Sequence, residues 1–328
     1  MSAISTFCGP PVTGLPFRLE GMKIASNGLV ESGMLATTDG EAYSIIRGIP
    51  RFVKDEGRSS DFGYEWRRWP RLQFDEENIG RPMAGHSERK WEGVIGFRES
   101  LDGQTVLELG CGVGRFLDIV RRKGGMAVGI DLSLTVEAAR MNFEGDPDTL
   151  IVQADTGHPP FVEGVFDGGF TIGVLHHTPS PVDGLRQLAR LVRKNEWVAC
   201  SVYSRHSMYV LPSIDRWRRW HARLSPRFGA APALAYSWML AACLWWTFRA
   251  AGTVPTVSSF ARYLEREWMP IARTPDPRWR VLDTFDSITP PYASTHTGDE
   301  IKAWMHAAGC VQVHPRPWGD ISFAGLRG

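Results

Sequence analysis

Between Thr105 and Tyr203 short apolar, β-favouring runs alternate with segments of helical period. Thr105–Leu109 reads as a first strand, Arg115–Lys123 as a helix, and the run ending at Asp131 as a second strand. Ser133 can cap a helix reaching about Phe143. Leu150–Asp155 and Asp167–Leu175 follow as strands three and four, Pro181–Arg193 as an amphipathic helix, and Trp197–Tyr203 as strand five. Such alternation predicts an α/β fold, a Rossmann-like, doubly wound parallel sheet. Val311–Pro315 and Asp320–Leu326 supply strands six and seven. The chain therefore divides into a small N-terminal β module (1–53), a linker and helical cap (54–100), the core (101–205), a mainly helical insertion or lid (206–309) and C-terminal strands (310–328).

Outside the core the pattern is less regular. In the leader, Phe17–Val30 and Met34–Phe52 hold short apolar runs broken by glycines, which predicts short strands joined by tight turns. Asp55–Asp61 reads as a linker, Phe62–Trp69 is an aromatic and basic cluster, and Arg81–Glu99 fits a helix. In the insertion, Arg216, Arg218, Arg219, Arg223 and Arg227 precede Phe228–Phe248, 21 residues without a charge. That length could span a bilayer. A single span would strand the last two strands on the wrong side, so two readings stay open: a buried lid, or a face that lies on a membrane or grips a lipid-like acceptor. Thr297 and Glu300 have capping-box spacing, which predicts a helix over Gly298–Ala308 with Tyr292 and His296 in the loop before it. Asp283 and Asp286 fit residues that stitch this insertion to the core.

With 328 residues, 43% hydrophobic, the chain can bury a large core, and a net charge of +1 gives no overall electrostatic case for nucleic acid. Five cysteines (Cys8, Cys111, Cys200, Cys243 and Cys310) lie far apart with no CxxC pair. That suits a reducing compartment and offers no all-cysteine zinc site. The N-terminus has no basic region followed by an apolar core. The expected location is cytoplasmic, with peripheral membrane contact through 228–248 left open.

Candidate chemistry centres on Glu108-Leu109-Gly110-Cys111-Gly112-Val113-Gly114-Arg115-Phe116. Glycines let the backbone turn sharply and approach a ligand, and the following helix directs its N-terminus there. A dinucleotide fingerprint, Gly-x-Gly-x-x-Gly, would need glycine where Arg115 stands. The observed Glu-x-Gly-x-Gly-x-Gly resembles motif I of the class I S-adenosylmethionine-dependent methyltransferases. Asp131, 21 residues after Gly110, can accept two ribose hydroxyls under either cofactor.

Two further stretches are similar to that family. Ala154-Asp155-Thr156, followed by Pro159-Pro160-Phe161, resembles the segment whose acid contacts the adenine amino group. Gly173-Val174-Leu175-His176-His177 resembles the loop after strand four that meets the methionine part and the acceptor. The resemblance implies S-adenosylmethionine as cofactor, held by Glu108, Gly110, Cys111, Gly112, Gly114, Arg115, Phe116, Asp131, Leu132, Ser133, Ala154, Asp155, Thr156, Gly173 and Val174. Lys194-Asn195-Glu196 departs from the family's Pro-Gly-Gly turn. The leader resembles a zinc ribbon that has lost its cysteines, and is expected to be metal-free.

Methyl transfer from a sulfonium needs alignment and exclusion of water, and a base only where the acceptor must lose a proton. His176 and His177 are the candidates, with His296 and Tyr292 behind them. The expected activity is methylation of a small-molecule, sugar or lipid-linked acceptor. Methylation of an RNA base, for which nucleic acid would be the partner, is the alternative, as is a subunit that binds the cofactor without turnover.

Overall fold

The computed structural model describes residues 17–26, 28–37, 40–53, 68–244, 255–319 and 321–328. Arg18–Ile24 (β1), Val30–Ala36 (β2), Ala42–Ile46 (β3) and Ile49–Pro50 (β4) form a four-stranded antiparallel sheet. This is the strand-and-turn leader that its glycine-broken apolar runs predict. Cys8 lies outside the described residues. Among the described residues no group of three or more His, Cys, Asp or Glu side chains is placed to hold a metal.

Thr105–Leu109 (β5), Met126–Asp131 (β6), Thr149–Gln153 (β7), Phe166–Ile172 (β8) and Val192–Val202 (β9) pair in parallel. Cys310–Pro315 (β10) and Ile321–Arg327 (β11) complete a seven-stranded sheet in the order β10-β11-β9-β8-β5-β6-β7, with β11 antiparallel to both neighbours. This is the Rossmann-like sheet of the class I methyltransferase type. β9 begins five residues before the expected Trp197, because the chain leaves its preceding helix straight into the ladder. Lys194-Asn195-Glu196 passes as an irregularity, with Asn195 in the left-handed region at φ 63.

His86–Ile95 (α1), Arg115–Arg122 (α2) and Thr135–Asn142 (α3) lie along the core, as does Pro181–Leu191 (α4). α1 is shorter than Arg81–Glu99 because Gly85 and Gly96 bound it at φ 64 and 108. In α2, Phe116, Leu117, Ile119 and Val120 are all at most 2% exposed. Each such side chain contributes on the order of 2 kcal/mol of gross burial energy. They join Trp91 of α1, Phe170 of β8 and Trp197 of β9 in one core layer. On the opposite face, Leu185 and Leu188 of α4 pack in a layer with Leu35 and Ile45 of the leader.

The insertion is helical where described: Pro212–Phe228 (α5), Ala231–Trp238 (α6) continued by a π-helical segment Met239–Leu244, Pro255–Glu267 (α7), Pro277–Ile288 (α8) and Gly298–Ala307 (α9). Ala233, Leu234, Tyr236 and Leu240 pack against Val281, Phe285 and Ile288 of α8, so this part of the apolar run closes a core. Residues 245–248 of that run lie outside the described residues, as do Phe62–Arg67 of the aromatic cluster. Among the described residues no helix is long and apolar enough to cross a membrane. The capping box at α9 forms as its spacing predicts: Thr297 Oγ1 accepts from Glu300 N–H, and Glu300 accepts from Thr297 N–H.

Arg51 fastens the leader to the sheet. It is 6% exposed, donates to Gln153 Oε1 at 2.6 Å and ion-pairs with Glu137, while Phe52 N–H donates to the Gln153 carbonyl at 2.8 Å. Removing one partner of a buried charge pair strands the other. Arg51→Ala is expected to lower folding stability by about 2–3 kcal/mol. Urea denaturation checks this, and an unchanged midpoint would contradict it.

Candidate active site

The carboxyl ends of β5, β6, β7 and β8 meet at one edge, where ligands of such sheets bind. At the end of β5 the turn is tied to β6: Gly110 N–H and Cys111 N–H both donate to the Ile130 carbonyl, at 2.8 and 2.9 Å. Gly110 has φ +78, and a Cβ there would lie 2.3 Å from Val174. Gly112, at φ +53, has nothing within 4 Å of its notional Cβ, so the turn opens into free space at that point.

Asp131 organises this turn. Its Oδ2 accepts from Gly112 N–H at 3.0 Å, and its Oδ1 accepts from Ser133 N–H at 2.9 Å and Ser133 Oγ at 2.7 Å. Oδ1 is thus filled, and Oδ2 keeps a further lone pair. Ser133 Oγ in turn accepts from Thr135 N–H at 3.3 Å, which links the acid to the start of α3. Leu132 is 39% exposed beside it. Further along the same edge, buried Ala154 and Thr156 flank an exposed Asp155, whose Oδ1 accepts from Gly157 N–H at 2.8 Å. Gly173 N–H donates to the Ser201 carbonyl at 3.0 Å, which sets Val174 over Gly110.

Cys111 and Phe116 back the turn instead of facing its open side. Cys111 is 4% exposed, with its thiol pushed up by burial, and the Phe116 ring meets Phe170 edge-on. Glu108 is 1% exposed, and its Oε2 has no hydrogen-bond partner. Burial raises its carboxyl well above the usual range, with Arg115 opposing. A buried unpaired oxygen of this kind costs free energy until a donor reaches it.

The four residues expected to carry catalysis gather on one side. His176, fully buried, takes Tyr203 N–H on Nδ1 at 3.3 Å, so its hydrogen sits on Nε2, which has no partner. Burial drives its pKa far down. His177 Nδ1 lies 2.8 Å from the Tyr292 carbonyl, and a carbonyl only accepts. The ring hydrogen is therefore on Nδ1 and the basic lone pair on Nε2. Burial lowers the His177 pKa, with Asp286 opposing. His296 serves the loop: its N–H donates to the Tyr203 carbonyl at 2.9 Å, and its Nε2 meets Ser294 Oγ at 2.8 Å. Tyr292 is 52% exposed.

Sequence reasoning missed a cavity of about 530 Å³ between the core and the insertion, lined by His86, Lys90, Arg115, Tyr209, Arg273, Trp279 and Asp283 among others. Burial and Asp286 push the Asp283 carboxyl up to about 7. Asn78, fully buried, ties the roof of this region down, accepting from Trp279 Nε1 at 3.1 Å and donating to the Leu72 and Phe74 carbonyls. α8 carried a legible start signal, Asp276 followed by Pro277, and Asp276 does cap it by accepting from Arg278 N–H at 2.8 Å.

Sheet order and acid-bearing glycine turn together define an α/β domain with a ligand-sized opening at its carboxyl edge. A family profile described as a methyltransferase domain matches residues 107–200, from within β5 to within β9. A tRNA U34 carboxymethyltransferase of Pseudoalteromonas translucida is 34% identical over 160 residues, 48% of this chain and 45% of that protein. A ubiquinone biosynthesis O-methyltransferase of Paracidovorax citrulli is 34% identical over 121 residues, 35% of this chain and 50% of that one. The chain thus spans about half the length of these relatives or less. A SAM-dependent methyltransferase structure from Aquifex aeolicus overlaps at TM-score 0.43 and 12% identity, covering 81% of this chain and 98% of that one.

The cofactor of this family is S-adenosylmethionine, and the residues present fit it. Asp131 Oδ2 has a lone pair for a ribose hydroxyl, the orphaned Glu108 Oε2 can accept from an ammonium group, and the space at Gly112 admits a ligand where a side chain would intrude.

Proposed function

We propose that the protein transfers a methyl group from S-adenosylmethionine to a small-molecule, sugar or lipid-linked acceptor seated under the helical insertion. The observation that carries this reading is the cavity of about 530 Å³, which reaches Arg115, the residue directly after the glycine turn. That volume suits a small ligand. When bound, the cofactor supplies a methyl group on a sulfonium already activated for in-line displacement. The chain's part is to align the acceptor and exclude water. Where the acceptor is a hydroxyl, His177 takes its proton at Nε2, the atom left basic by the Tyr292 carbonyl. His176, stacked at 3.5 Å on Tyr203, and His296, which pins the loop bearing Tyr292, are positioning residues.

The test is titration calorimetry with S-adenosylhomocysteine, followed by a methyl-transfer assay across hydroxyl- and amine-bearing acceptors. Micromolar binding with turnover supports the proposal, and absence of S-adenosylhomocysteine binding would end it. Turnover with any acceptor also excludes a purely cofactor-holding role.

A second reading, methylation of an RNA base, is favoured by the tRNA-acting relative and by the exposed Arg223 and Arg227 beside Trp220 on α5. It requires retention on RNA that weakens linearly with log salt. Exposed Phe228, Trp238 and Met239 support peripheral membrane contact, which flotation with anionic vesicles tests.

A further inference from the structure

The cavity walls are unusual in charge. Lys90 of α1, Arg115 at the head of α2 and Arg273 before α8 all line it, with His86 beside them, and Asp283 is the single carboxyl in its lining. Among the described residues Arg115 has no hydrogen-bonded or ion-paired partner; its guanidinium lies over the Phe116 ring, 4.3 Å from the centroid, and Asp283, Glu108, Asp75 and Asp286 act on it through space. The local field is strong enough to read on a neighbour. His86, partly buried, is held down to about 3 by burial together with Arg115, Lys90 and Arg89. Three cations against one carboxyl give the cavity's lining a net positive charge, which suits an anionic ligand.

We propose that this cavity binds an anionic group, a carboxylate or a phosphate, carried by the methyl acceptor, and that Arg115, Lys90 and Arg273 hold it. The inference rests on the methyl-transfer reading and narrows its substrate class to acidic small molecules. Asp283 is the counter-ion that must yield. It faces Arg115 from α2, Lys90 from α1 and Asp286 from its own helix. While ionised it competes with the ligand for Arg115, and once protonated it no longer repels an entering anion. Burial and Asp286 push Asp283 up to about 7, so the receptive form predominates below that pH and is lost as pH rises through it.

Sulfate and succinate serve as probes, neither of which changes protonation appreciably between pH 6.5 and 8. Each is titrated into the full chain by calorimetry, alone and with saturating S-adenosylhomocysteine. Binding of either probe alongside S-adenosylhomocysteine is expected, and which probe wins tells phosphate from carboxylate. Arg273→Gln and Lys90→Gln are each expected to weaken the probe about tenfold and to leave S-adenosylhomocysteine affinity unchanged. Apparent probe affinity should fall about eightfold from pH 6.5 to pH 8, since only the protonated fraction of Asp283 is competent, and Asp283→Asn should abolish that dependence. Competition between probe and S-adenosylhomocysteine would overturn the proposal by giving these cations to the cofactor's own carboxylate, and so would indifference of the probe to both variants or failure of both probes to bind. Failure of S-adenosylhomocysteine alone to bind would instead strike at the methyl-transfer reading.

Discussion

Asp131→Ala is expected to raise the dissociation constant for S-adenosylhomocysteine by about 10-fold to 100-fold. Two losses combine. A carboxylate accepting from a ribose hydroxyl makes a charge-assisted bond worth about 1.5–3 kcal/mol, which corresponds to roughly one to two decades of affinity. The same side chain also fixes the turn, since Oδ2 holds Gly112 N–H and Oδ1 holds Ser133. Without it the turn loses its tie from the Asp131 side chain, although the Ile130 carbonyl still receives Gly110 and Cys111. Fold stability should therefore fall by only about 1 kcal/mol while binding weakens by more. Calorimetry and thermal unfolding on the same sample separate the two. A dissociation constant within threefold of the parent would remove Asp131 from the cofactor site.

His177→Gln is expected to lower kcat by about 10² to 10⁴, the usual share of a positioned general base, with S-adenosylhomocysteine binding kept. The base acts in its neutral form, and burial lowers its pKa. The active form is thus already dominant at neutral pH. In the parent, kcat/KM should show an acidic limb that rises with pH through a midpoint below 6.5, and in His177→Gln that limb should vanish. His296→Ala should act differently, because its ring holds the loop through Ser294 and Glu300 and not the substrate. A variant at position 177 with full kcat would leave the acceptor needing no base from this histidine.

The parts of the site that the sequence made legible are those built within one turn or one strand end. Gly110, Gly112 and Asp131 follow from local spacing, because a glycine turn and the acid closing the next strand sit at nearly fixed separation in this topology. The capping box of α9 was legible for the same reason. What was hidden depends on contacts between distant segments. Lys90, Arg115, Arg273 and Asp283 share a wall only because the insertion folds back over α1 and α2, and nothing local in any of the four announces it. Arg51 likewise looks like a surface arginine until Gln153, 102 residues away, receives it. Nor does the pattern separate a lid from a membrane face, since both bury one apolar side of a helix; packing of Leu234 and Leu240 on α8 assigns those residues to a core.

The leader's docking has one more consequence. β7 is the last strand of the large sheet, and its outer edge meets the leader, where Arg51 forms a parallel bridge to Gln153 and Phe52 N–H donates to the Gln153 carbonyl. An uncovered strand edge templates pairing with other chains. The leader thus guards this edge: clipping it after Phe52 would leave β7 bare at that point and open it to pairing with other chains.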